Sequence, residues 1–187
     1  MTKRKQQILD IATELLQTKV FSALSFQDIA DKRGVSKAAI HSHFRTKEIL
    51  GKALLEQYCE VINAIHIKSE NAGDSAWDKY NAFIKELKNI IIENKQICPM
   101  TLLQLEHHLI PESMQELVSK AYNLDIDWLE KILKQGLETG EMAFKGTPKD
   151  QSLLILASLQ GATMNARSED STIFELIMEQ IKNSMKP

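Results

Sequence analysis

Only two cysteines, Cys59 and Cys98, occur in 187 residues. That is too few for a disulfide framework, and reduced thiols in the cytoplasm are expected. Apolar residues make up 43 % of the chain, enough for a globular core. They form no run near the roughly 18 residues of a membrane span. The start, Met1-Thr2-Lys3-Arg4-Lys5, has charges with no apolar stretch behind them, so no secretory signal is expected. Strand alternation, internal repeats and low-complexity linkers are all missing. So are G-x-S-x-G, a P-loop, a dinucleotide fingerprint, HExxH and any metal-ligand set. No enzyme activity, cofactor or metal is expected.

What is present is helix. Ser25 with Asp28 makes a capping box, and Phe26, Ile29 and Ala30 form a stripe at i, i+3, i+4. Arg33-Gly34-Val35 reads as a turn, with Gly34 free to take the left-handed conformation. Ser36 is a fresh N-cap, and Lys37 to Phe44 give a second short helix. Two helices joined by a three-residue turn match a helix-turn-helix, whose second helix enters the DNA major groove. Upstream, Ile8, Ile11, Ala12, Leu15 and Leu16 share one helical face. Downstream, a long helix runs from an N-cap at Thr46 to about Ser69. Further helices are expected at about 75–94, 100–109, 111–139, 147–167 and 171–185. Their start signals include capping acids at Asp78 and Asp150 and first-turn prolines at Pro111 and Pro148. That makes about nine helices and an all-α fold.

Charge is unevenly spread. Residues 1–55 hold ten Lys/Arg and five Asp/Glu, a net +5, while residues 56–187 hold thirteen and twenty, a net −7. Basic charge collects where phosphates would be met.

The first third of the chain resembles the TetR family of one-component repressors. The resemblance rests on Ile8-Leu9-Asp10, Leu15-Leu16, Phe21, Ser25, Asp28-Ile29-Ala30, Gly34-Val35-Ser36-Lys37, His43-Phe44 and Lys47-Glu48. It implies a three-helix helix-turn-helix DNA-binding domain at 1–47. Residues 48–187 would be a helical effector-binding and dimerisation domain. The implied partners are a palindromic double-stranded operator, a small-molecule effector and a second copy of the chain, with no membrane. Val20 and Leu24 stand where the family has Gly and often Thr, which adjusts the turn between the first two helices. Ala38, His41 and Ser42 also depart from the family, so no relative's operator can be carried over. The expected DNA-binding residues are Arg4, Ser36, Lys37, Ala38, Ala39, His41, Ser42, His43 and Lys47. Lys37 can reach phosphate or guanine, and small Ala38 and Ala39 let the helix sit deep. Lys47 would join the next helix's N-terminal N–H groups as an anion site. Ile40 and Phe44 read as core. His41 and His43, at i and i+2, point apart and make a poor metal pair. Glu106-His107-His108 reads as an ordinary polar helix face.

The resemblance also implies that middle helices enclose an effector pocket, and that a bound ligand swings the heads out of register with the operator. Candidates by residue type and helical face are Tyr58, Trp77, Phe83, Cys98, Met100, Leu103, His107, Tyr122, Trp128 and Met164. Each also serves as plain core. Cys98 has two readings, a buried small hydrophobe or a thiol that senses electrophiles or oxidants. No basic residue within two positions lowers its pKa. By resemblance the last two helices pair across a two-fold axis. Leu153, Leu154, Leu156, Ala157, Gln160, Gly161 and Met164 would supply one face, and Ile173, Phe174, Ile177, Met178 and Ile181 the other.

Overall fold

The computed structural model describes residues 2–93, 97–168, 170 and 172–187. Nine α-helices lie among these residues, and no strand does. They form two compact units. One contains residues 1–60 and 98–121, the other residues 61–97 and 122–187.

In the first unit, α1 (Lys3–Leu16) starts where the Thr2 hydroxyl accepts the Lys5 N–H. It buries Ile8, Leu9, Ile11, Ala12, Leu15 and Leu16 on one face. A single 3-10 turn, Phe21–Ala23, connects it to α2 (Phe26–Arg33). Val20 opens that turn at φ −69, a conformation that suits a β-branched side chain, so the family's glycine is not needed there. The capping box of α2 is complete. The Ser25 hydroxyl accepts the Asp28 N–H at 3.2 Å, and the Asp28 carboxylate accepts the Ser25 N–H at 2.8 Å. Gly34 ends α2 at φ 64, and a Cβ there would meet nothing within 4 Å. The backbone conformation, rather than space, calls for glycine. The Ser36 hydroxyl caps α3 (Lys37–His43) by accepting the Ala39 N–H. Thr46 caps α4 (Lys47–Glu70) by accepting from Ile49.

α1 packs on α2 and α6, and α2 packs on α3. Phe21, Leu24, Ile29, Val35, Ile40, Phe44 and Leu50 fill the space between them. Gly51 of α4 lies so close to Met114 of α7 and to Phe21 that a Cβ would overlap both side chains. One element differs from the sequence expectation here. α6 spans Pro99–Leu105 and stops four residues early, with a 3-10 turn at His107–Leu109. Glu106 leaves the helix at φ −100, ψ 17, and its side chain is taken up elsewhere, as shown below.

The second unit holds the C-terminal part of α4, α5 (Ala76–Lys88), the C-terminal part of α7 (Glu112–Glu138), α8 (Pro148–Ser168) and α9 (Thr172–Asn183). α5 passes into one wide π turn at Asn89–Glu93. Its expected end at Asn94, and the expected start of the last helix at Ser171, lie outside the described residues. α8 and α9 pack together, and Ile155, Leu156, Leu159, Ala162, Phe174 and Met178 are buried on these two helices. The 27 residues of α7 stop near Gly140, which takes φ 74.

Candidate nucleic-acid interface and effector site

α3 presents a polar, shallow face. Ser36, Lys37, Ala38, His41 and Ser42 are exposed, while Ala39 and His43 are half-buried. Ile40 and Phe44 are fully buried, as expected, and anchor the helix from behind. The Ser42 hydroxyl donates to the Ala39 carbonyl at 2.8 Å, so in the free chain it is turned back on its own helix. His41 meets Phe26 of α2 edge to face, ring centroids 4.8 Å apart. Phe26 is itself half-buried and His41 exposed, so this ring pair lies at the surface. Arg4, on the first turn of α1, is exposed and donates to Gln7. Lys5 lies over the Phe44 ring at 5.6 Å.

Lys47 is more enclosed than the sequence suggests. Its ammonium donates to the Ser22 carbonyl at 2.7 Å and sits 4.9 Å above the Phe21 ring. Burial lowers its pKa, while Glu106 and Asp28 pull it back up. One of its three N–H donors is thereby spent, leaving two. Glu106 is the residue that sequence reasoning missed. It is 5 % exposed rather than part of a solvated face. Both of its carboxylate oxygens accept the Ser22 N–H, at 3.0 and 3.2 Å. No local signal marks it, because its partner lies 84 residues away in the chain. Its neighbours His107 and His108 stand edge to face. Among the described residues no cluster of three or more His, Cys, Asp or Glu could hold a metal.

The ten effector candidates fall in different places. Met100 and Leu103 are core of the first unit, and Tyr58, Cys98 and His107 are half-buried there. In the second unit Trp77 is committed at one end, its indole N–H donating to the Glu141 carbonyl at 2.8 Å. Met164 is 44 % exposed. The structure does bring Phe83 and Trp128 together, centroids 5.0 Å apart. Beside both lies a residue the sequence did not flag. His66 stacks flat on Trp128 at 4.9 Å, and its Nε2 is 2.9 Å from an Asp125 oxygen, both side chains buried. Tyr122 stands near enough to Asp125 that, after burial, this charge helps to raise its pKa. His66 and Asp125 were missed for the same reason as Glu106: 59 residues separate them. A cavity of about 250 Å³ also opens between α5 and α9, against Tyr80, Ile84, Phe174 and Met178. None of the ten candidates lines it.

No helix among the described residues is long and apolar enough to cross a membrane. A family model described as bacterial regulatory proteins, tetR family, matches residues 8–54, the segment from α1 into α4. The HTH-type transcriptional repressor NemR of Escherichia coli K12 is 22 % identical, over 96 % of this chain and 92 % of its own. Among solved structures, a TetR-family transcriptional regulator from Agrobacterium tumefaciens superimposes with a TM-score of 0.94. It is 25 % identical and covers 98 % of both chains. A TetR transcriptional regulator from Legionella pneumophila gives 0.89 at 25 % identity, over 100 % of this chain and 99 % of its own. Capped helix-turn-helix, helical order and relatives agree: residues 8–54 match the tetR-family model, and the chain along its length is similar in sequence and fold to TetR-family transcriptional regulators.

Proposed function

We propose that this regulator is a homodimeric repressor that leaves a palindromic operator when a small molecule binds. The observation that carries the DNA part is α3, whose outward residues are polar or small while Ile40 and Phe44 hold it from behind. In this reading Lys37, His41, Ser42 and His43 reach bases and phosphates, and Ala38 and Ala39 allow close approach. Ser36 and Arg4 contact the backbone, and Lys47 offers its remaining donors to a phosphate beside the N-terminus of α4. Residues 1–47 would serve DNA and residues 48–187 the effector and the partner.

Support for the dimer comes from α8 and α9. Leu153, Leu154, Met164 and Leu176 are 38, 50, 44 and 65 % exposed. A Cβ on Gly161 would meet nothing within 4 Å, so this helix face is open to a neighbouring backbone. Apolar surface of this extent on paired helices is what an interface removes from water. The effector is placed at the ring cluster of Phe83 and Trp128, with His66, Asp125 and Tyr122 as its polar edge. A flat, largely apolar compound with one hydrogen-bonding group fits that chemistry. Repression follows the name of the NemR relative.

The test is a mobility-shift assay on DNA from upstream of the protein's own gene. One retarded complex over a palindrome is expected, with two chains per duplex. Equal affinity for that DNA and for shuffled DNA of the same composition sinks the proposal. Trp128→Ala should leave operator binding intact and abolish release by effector.

A further inference from the structure

One residue between α1 and α2 has its backbone held on both sides. The Ser22 N–H is bound by both oxygens of Glu106, and the Ser22 carbonyl by the Lys47 ammonium. Glu106 comes from the C-terminal end of α6 and Lys47 from the first turn of α4. Three elements thus meet on the backbone of one residue, at its two adjoining peptide groups. The Ser22 side chain takes no part and is exposed.

The grip is expensive to build. A carboxylate 5 % exposed has lost most of its water and is tolerated only with partners. The Ser22 N–H satisfies its oxygens, and Lys47 supplies the opposite charge. Packing alone does not require an acid here, since a leucine would fill the same space without the desolvation cost. What the acid adds is a fixed direction for one peptide. That peptide lies four residues before α2, and α2 packs on both α1 and the recognition helix α3. Lys19, on the other flank of the connector, is tied to Asp28 of α2.

We propose that Glu106 is a positioning residue for operator binding: through the Ser22 peptide it fixes the connector, and with it the pose of α2 and α3 against α1. Glu106 does not touch DNA. Releasing Ser22 lets the α2–α3 pair sample other poses, and apparent affinity falls with the fraction that remains competent. Simple electrostatics predicts the opposite sign. Removing a negative charge from a DNA-binding unit strengthens binding to every duplex.

The experiment uses the full chain as Glu106→Gln and Glu106→Leu. Each is titrated with a duplex that the wild-type protein has selected from random sequence, and with an unselected duplex of equal length, over a salt series. Gln keeps an acceptor oxygen and Leu keeps none. Affinity for the selected duplex should fall about threefold for Gln and about tenfold for Leu, as the loss of one or two hydrogen bonds converts into population. Affinity for the unselected duplex should stay level or rise, and the salt slope should not change. Amide hydrogen exchange over residues 20–24 should quicken in the same order. Unchanged or tighter binding to the selected duplex in both variants overturns the proposal. So does an equal loss on both duplexes, or unchanged protection of the connector. Should Glu106→Leu fail to fold, seen as a lost thermal transition, Glu106→Gln decides alone.

Discussion

Lys37 and Lys47 carry the same charge in the same motif and stand in different surroundings. Lys37 is exposed on α3, with nothing but solvent to leave when a phosphate arrives. Lys47 is bound to the Ser22 carbonyl, roofs the Phe21 ring, and has its pKa lowered by burial. Lys37→Ala should therefore weaken binding to all DNA alike and remove about one unit from the slope of log affinity against log salt. Lys47→Ala should lose the same unit of slope and, in addition, the preference for operator over random DNA, because the connector loosens. Titrations of both variants on both duplexes measure this. Identical behaviour of the two lysines would show that the Ser22 contact has no bearing on recognition.

The short helices around the turn owe their boundaries to single side chains. At the start of α2, hydrogen bonds from Lys19 and then from Ser25 bring the Asp28 pKa from 3.8 to about 2. A carboxyl whose folded pKa is depressed contributes stability that is complete above its unfolded pKa and disappears as pH falls through the folded one. Asp28→Asn should lower the melting temperature at pH 7, and the gap from wild type should close between about pH 4 and about pH 2. A gap that persists at pH 2 would mean that shape, not charge, holds this cap. At the other end of α2, Gly34→Ala should cost about 1–2 kcal/mol by denaturant unfolding, the penalty of a Cβ in the left-handed region with no clash to add to it. These devices were legible in the sequence because cap and turn chemistry acts over three or four residues. Ser25 with Asp28, Gly34, Ser36 and Thr46 all stand as read. Glu106 and His66 were not legible. Each is a polar residue whose meaning is set by a partner far along the chain. For the effector candidates, aromatic and sulfur side chains mark burial without saying what they enclose, and Met100 and Leu103 are buried.

For the molecule as a whole, the question is how the C-terminal helices divide their apolar residues. Leu156, Phe174 and Met178, which the sequence placed in a subunit interface, are 3, 1 and 5 % exposed, covered already within one chain. Helical periodicity identifies an apolar residue's face but not what covers that face, so both uses looked alike. The outward set is Leu153, Leu154, Met164 and Leu176. Leu154→Glu with Leu176→Glu should yield folded monomers in sedimentation at micromolar concentration and cut operator affinity at least a hundredfold, since each half-site then binds alone. Leu156→Glu should unfold the chain instead, through an unpaired buried charge. A folded dimer from the outward pair would place the interface elsewhere.

α3 has seven residues. At 1.5 Å per residue that is about 10 Å of helix, the height of roughly three base pairs. A word of three or four bases recurs by chance once in roughly 60 to 250 positions, while a genome offers on the order of a million competing sites or more. One such helix cannot name a gene. In the proposed dimer, the missing information lies in the distance between two words, set at a whole helical turn of about 34–36 Å. Two base pairs inserted at the centre of the operator leave every contacted base unchanged, yet turn one word about 70° away from its reader. For a recognition helix this short, that insertion should be as damaging as deleting a half-site outright.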